Sequence, residues 1–299
     1  MLTPLDQSQL SGWAIERGPP IKHVTPEETE VVRWRDTTTP LTISLVETDR
    51  TSFHRLRFGP GMAVDVRADN RIVTRHDDNL PPPTMDHLLA DQVIPRILAR
   101  AGSFVVHAGA VRIGAGAVLF LGSGGRGKST LTCSFDRSGF ALLGDDAMIV
   151  SSLDGRPAVR AVYRSLRLFP DSIDAVMPGE PTAGPVAHLT SKERIDMPVD
   201  DDMIDAPLPV AAIFALGNAD DDGSIAIHPL TVAETCIALV ESSFALDPSD
   251  VEQARHRLTH ASAMARFVPA FEIAYPRDFA RLPEVRQAIL DQLAMLEPA

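Results

Sequence analysis

Between residues 30 and 77 the chain runs in short stretches where apolar and polar residues alternate: VVRWR, LTISLVE, FHRLRF, MAVDVRA and RIVTR, punctuated by Gly, Pro, Asp and Asn. A period of two sends one face of each stretch inward, which predicts strands and, together, a small β-rich N-terminal unit over residues 1–84. The triple proline at 81–83 ends it. The period then lengthens. In TMDHLLADQVIPRILARAG, Leu88, Leu89, Val93, Ile97 and Leu98 fall on one side of a helix that Pro95 should kink or shorten.

Past residue 103 the texture changes again. FVVHAGAVRIGAGAVLFLGS predicts two buried strands about a glycine turn, the second (117–121) apolar throughout, as in a strand covered on both faces. A glycine-rich loop, a helix over about 128–137 and a strand ending near Asp145 follow, so that strand, loop, helix and strand succeed one another. Further strands are predicted at 147–151, 158–163, 210–216 and 224–229. Thr231 with Glu234 and Ser249 with Glu252 have the spacing of capping boxes opening two helices. A last helix is expected at 283–296, and the Asp- and Pro-rich stretch 196–209 reads as an exposed loop. The pattern as a whole predicts an α/β protein, with residues 85–299 as a second domain.

Composition narrows the function. With 299 residues, 44% of them hydrophobic, a substantial core is affordable. A balance of 28 basic against 40 acidic residues, formally -12, disfavours nucleic acid and anionic membrane as partners. Cys133 and Cys236 form no disulfide framework or metal-binding spacing, which suggests a reducing compartment. The start MLTPLDQSQLSGWAIERG lacks an apolar run of signal-peptide length, and nowhere do about 18 apolar residues run together, so a cytoplasmic protein is expected.

The chemistry sits in GSGGRGKSTLTCSFDRSGFALLGDD. Gly122, Ser123, Gly124, Gly125, Arg126, Gly127, Lys128 and Ser129 fill the phosphate-loop pattern G-x-x-x-x-G-K-[ST] completely. Glycines let backbone N–H groups turn toward a phosphate, Lys128 reaches the β and γ oxygens, and the Ser129 hydroxyl suits Mg²⁺. Chance yields such a pattern in only about one chain of this length per hundred. Asp145 and Asp146 then end an apolar strand. If that strand lay parallel beside the loop strand, one carboxylate could hold Mg²⁺ and the other accept a proton from an attacking hydroxyl. His107, alone among apolar residues, is a weaker candidate.

The segments HAGAV, GSGGRGKST and GFALLGDD resemble the catalytic domain of the HPr kinase/phosphorylases, and also the shorter HPr-kinase-like proteins, including the kinases of lasso-peptide gene clusters. The core of the likeness spans residues 104–150, with a looser likeness to the C-terminus. It implies a P-loop domain of the HPr-kinase/PEP-carboxykinase type and an ATP-dependent kinase acting with Mg²⁺. Its acceptor would be a serine hydroxyl of a protein or ribosomal peptide, and a homo-oligomer is plausible. It makes Gly122 to Thr130 the ATP cradle, Ser129 and Asp146 the magnesium side, Asp145 the general base, and His107 a supporting partner of the carboxylate, with the two aspartate roles open to exchange. The chain departs from the bifunctional enzymes in carrying Thr130 where they usually have Glu, and in lacking their Arg-Gly-x-Gly signature.

Cations for the equatorial oxygens are sought in Arg126, Arg164, Arg167, Lys192 and Arg194. Ser123 and Ser129 do not make a hydrolase elbow. The nine histidines are not expected to pair on one helix face, so no zinc site is expected. Asp201 and the run 220–222 read as solvated turns. A nucleotide-sensing regulatory or scaffold protein, and a kinase of a small-molecule hydroxyl, remain alternatives.

Overall fold

The computed structural model describes residues 10–20, 28–35, 41–59, 61–163, 165–187, 190–195, 206–218 and 223–296. Arg164, Asp201, the acidic run 220–222 and most of the expected loop 196–209 lie outside the described residues. The fold is mixed α/β, and the chain divides into two compact units.

The first unit comprises Met1–Gly102 with Ala187–Leu189 and Phe244–Arg255. The expected boundary at residue 84 falls inside one of its helices. Six strands, β1 (Ala14–Gly18), β2 (Thr29–Arg35), β3 (Thr42–Glu47), β4 (Ser52–Arg57), β5 (Ala63–Arg67) and β6 (Arg71–Arg75), form one sheet in the order β1-β6-β5-β4-β3-β2. The alternating stretches made β2 to β6 legible. Strand β1 was not predicted, because most of its residues are exposed and backbone pairing to β6, in parallel, holds it.

A buried ionic network braces this sheet. Asp65, fully buried, accepts from Arg55 Nε at 2.6 Å and from Arg75 Nε at 2.6 Å, while Arg55 also holds Glu28. The long helix predicted after the triple proline is three pieces: α1 (Pro82–Leu88), a π-helical turn (Leu89–Val93) and α2 (Ile94–Arg100). Pro95 has no N–H to donate, and the wider turn just before it absorbs the missing bond.

The second unit holds a nine-stranded sheet. Its strands are β7 (Phe104–Val106), β8 (Gly109–Ile113), β9 (Gly116–Leu121), β10 (Ala141–Gly144), β11 (Met148–Leu153), β12 (Arg156–Ala161), β15 (Leu208–Leu216), β16 (Ala226–Pro229) and β17 (Ala270–Ala274). A separate pair joins β13 (Leu166–Leu168) to β14 (Glu193–Ile195). Helices α3 (Lys128–Asp136), α4 (Pro170–Val176), α5 (Val232–Glu241) and α7 (Leu282–Ala294) belong to this unit, as does α6 (Val251–Phe267) from His256 onward.

Strand β9 explains its own apolar run. Val118 and Phe120 enter one buried cluster with Leu131 and Phe135 of α3 and Val285 of α7, whereas Ala117, Leu119 and Leu121 enter another with Leu239 of α5 and Met264 of α6. Helices thus cover both faces of the sheet.

Four predictions are corrected. The run after residue 103 is three strands, broken at His107, whose N–H donates to Ser242 O at 2.7 Å. Strand β10 does not lie beside β9: both pair antiparallel with β8, which stands between them. The two nonetheless run in the same direction and open on one edge of the sheet. Thr231 and Glu234 form the expected box, but at α6 the cap is Asp250, whose Oδ1 accepts from Glu252 N at 2.8 Å and Gln253 N at 3.2 Å. Asp250 immediately precedes the helix and outcompetes Ser249, which bonds to Asp247. Leu208 and Pro209, assigned to the loop 196–209, belong to β15. Strands β13 and β14 were not predicted, being three residues each and too short for a period to register; β17 was not predicted either.

Candidate functional site

Strand β9 ends at Leu121, and the loop that follows turns directly into α3. Gly127 immediately precedes that helix with φ +85°, and a Cβ there would stand 3.2 Å from Arg277 Nη1. Glycine therefore serves both the left-handed backbone and the close approach. Lys128 is 6% exposed and its ammonium donates to Gly122 O at 2.6 Å and Ser123 O at 3.3 Å. Burial pushes its pKa down, and Lys192 adds to that, against the pull of Asp145 and Asp146. The loop is thus a ring of backbone around one desolvated cation at a helix N-terminus, the arrangement that favours phosphate.

The carboxylate pair follows β10, on the edge to which β9 also points. The two side chains have different surroundings. Asp146 lines a cavity of about 370 Å³ together with His107, Lys128, Ser129, Thr130, Arg167 and Lys192. Arg167 Nη2 donates to Asp146 Oδ2 at 2.8 Å, and His107 Nε2 stands 3.7 Å from Asp146 Oδ1. Burial alone would raise the Asp146 pKa, but Arg167 and then His107 hold it well below the usual carboxylate range.

Asp145 is not on that wall. It is 1% exposed, and neither Oδ atom meets a hydrogen-bond donor at ordinary geometry. The Ser129 hydroxyl lies near enough to favour its charged form, yet burial and then the Asp146 charge push the carboxyl up to about 8. The pair therefore splits into one carboxylate fixed in the ionised state and one poorly compensated carboxyl beneath it. Gly109 of β8 makes this packing possible: a Cβ there would meet Thr132 Oγ1 at 2.4 Å and Asp145 Oδ1 at 3.7 Å.

The remaining candidates separate cleanly. Arg167, on β13, is 4% exposed and also donates to Tyr163 Oη and Ser165 Oγ. Lys192 reaches the cavity with its ammonium 5.3 Å from the centre of the Phe169 ring. Arg194, the ladder partner of Arg167, is not part of the cavity wall. Arg126 lines the cavity and bonds to Ser123 Oγ and Asn218 Oδ1.

Sequence reasoning missed the opposite wall. Tyr275, Arg277, Asp278, Phe279 and Leu282, just past β17, line the cavity with Phe169, Asp171 and Ser172. Arg277 donates to Arg126 O and, at 2.9 Å, to Gly217 O, with its guanidinium 4.5 Å from the Tyr275 ring centre. The available signal was an arginine just beyond a strand running parallel to β15, at the carboxyl edge where open α/β sheets hold ligands. Another reading is also overturned: His256 and His260, one turn apart on α6, have ring centroids 4.0 Å apart.

The donors present fit a magnesium triphosphate. Mg²⁺ takes few protein oxygens and completes its shell with water and phosphate. Ser129 and the orphaned Asp145 oxygens are donors of that kind beside the loop. Among the described residues no three His, Cys, Asp or Glu side chains gather to hold a metal on their own.

No family model matches the chain, and no curated protein matches it in sequence. Among solved structures it is similar to the Hpr(Ser) kinase/phosphatase from Coxiella burnetii, with a TM-score of 0.34 and 12% identity over 64% of this chain and 99% of that one. A likeness so distant carries no functional argument. Among the described residues no helix is long and apolar enough to cross a membrane.

Proposed function

We propose that this chain is an ATP-dependent phosphotransferase that moves the γ-phosphoryl group to a hydroxyl, with serine of a protein or ribosomal peptide as the acceptor class. One observation carries the reading: an ionised carboxylate, Asp146, faces the same cavity as the phosphate loop and is held there by Arg167 and His107. A carboxylate on that wall, with Arg167 and His107 beside it, stands where it could accept the proton of an attacking hydroxyl.

The geometry favours exchanging the two aspartate roles. Asp146, on the cavity wall, receives the hydroxyl proton as the acceptor oxygen bonds to phosphorus and the bond to the β-phosphate oxygen breaks, releasing ADP. Its lowered pKa suits a late proton transfer, because a loose transition state asks little of the base. Asp145, buried beside Ser129, belongs to the metal side. Magnesium, held by Ser129 and Asp145, would supply charge neutralisation on the phosphate oxygens. Lys128 cradles the β and γ oxygens, and Lys192 and Arg167 add positive charge near the transferred group.

Incubation with γ-labelled ATP, Mg²⁺ and serine-containing peptides tests the proposal. Label should pass to peptide in wild type and fall at least a hundredfold in Asp146→Asn, with ATP affinity within a few fold of wild type. Transfer at the wild-type rate by Asp146→Asn would sink the assignment. Label on a metabolite instead of peptide would replace the acceptor class.

A further inference from the structure

A nucleoside triphosphate is a charged chain ending in a flat, weakly polar ring. The phosphate loop and Asp146 decide which part of the cavity takes the terminal phosphate. Asp146 enters from β10, which the order β10-β8-β9-β15 places on one flank of the loop strand; β17 pairs with β15 on the other flank. The chain leaving β17 supplies Tyr275, Arg277 and Phe279 to the cavity.

That flank is aromatic and partly open. Phe279, on that flank, is 39% exposed, and Phe169, which follows β13 and has the Lys192 ammonium 5.3 Å from its ring centre, is 41% exposed, although each is a large apolar side chain lining a cavity. Phe169 directly precedes α4, and α4 is tied to the loop's helix by Ser172 Oγ and Thr130 Oγ1, 3.1 Å apart. Phe279 opens a single 3-10 turn capped by Asp278, whose Oδ1 accepts from Ala280 N at 2.9 Å. Arg277 fastens the segment to the loop through Arg126 O and to the end of β15 through Gly217 O. Two anchored, half-exposed rings beside a phosphate loop are what a base needs for stacking.

We propose that Phe169 and Phe279 form the nucleobase subsite, and that Arg277 braces it against the phosphate loop. This inference rests on the nucleotide reading of the same cavity. Stacking on an aromatic side chain is sensitive to truncation and leaves phosphate contacts alone.

Calorimetric titration with ATP and with inorganic tripolyphosphate separates the two. In Phe279→Ala, ATP should bind about tenfold more weakly, tripolyphosphate should bind as in wild type, and Phe279→Trp should restore ATP affinity. Unchanged ATP affinity in both Phe279→Ala and Phe169→Ala would place the base elsewhere and overturn the subsite, leaving phosphotransfer intact. Equal weakening of both ligands would also overturn it, because the rings would then be shaping the loop. If wild type bound neither ligand, the nucleotide reading itself would fall, and the subsite with it.

Discussion

At the residue scale, adjacent aspartates do unequal work because one backbone step moves a side chain from beneath the cavity to its wall. Asp145 is buried with both oxygens unpartnered, and such a carboxylate costs stability that a neutral side chain of the same shape does not. Asp145→Asn should therefore raise the melting temperature of the nucleotide-free protein by a few degrees while abolishing transfer. A variant that melts lower, followed by calorimetry, would mean the carboxylate is better compensated than its surroundings imply. Gly127→Ala should do the opposite, because φ +85° and the Arg277 contact both resist a methyl group. Loss of tripolyphosphate binding in an otherwise folded variant is the readout.

Among elements, what was legible in the sequence follows from what is local. The loop and both aspartates lie within one short stretch, and a motif defined by successive residues survives translation into structure. Strands β2 to β6 were legible because apolar and polar residues alternate along each of them, a signal carried by neighbouring residues. Arg277 and Phe279 were not, because they reach the cavity through pairing of β15 with β17, which no local period encodes. Strand β1 escaped because most of its residues are exposed. The helix cap at α6 shows how local chemistry is decided by competition: two residues had suitable side chains, and the one adjacent to the first turn prevailed. Asp250→Ala should cost about 1 kcal/mol, measured by denaturant unfolding, with Ser249→Ala much closer to neutral. In the first sheet, Asp65→Asn should be far costlier, about 3–5 kcal/mol, since it removes the buried negative charge that Arg55 and Arg75 share and leaves Arg55 with Glu28 as its one acid.

For the molecule as a whole, acid acts in two senses: the second unit gains as Asp145, whose carboxyl is pushed up to about 8, takes up its proton, and the first unit loses through His54. His54 Nε2 stands 3.2 Å from Asp247 Oδ2, and burial lowers the His54 pKa below 6.5 despite the pull of Asp247. Above 6.5 both folded and unfolded chains leave it neutral. Below that value the unfolded chain binds a proton that the folded chain resists, so stability falls as the pH drops from 6.5 through the lowered folded value. Going from pH 7.5 to 5.5, the melting temperature of His54→Gln should fall less, or rise more, than that of wild type; an identical change in both would show that other groups set the acid response.

The long strand β15 also bears on how the chain reaches its native state. Strand β9 finds β8 almost at once, since a tight turn joins them, but its other edge waits for Val210 to reach Ala117 and Phe214 to reach Phe120. Parallel pairing across so much intervening chain is slow to nucleate. The loop between β9 and α3 should thus acquire its ligand-competent shape among the last events of refolding, so that recovered nucleotide binding lags recovered helix content.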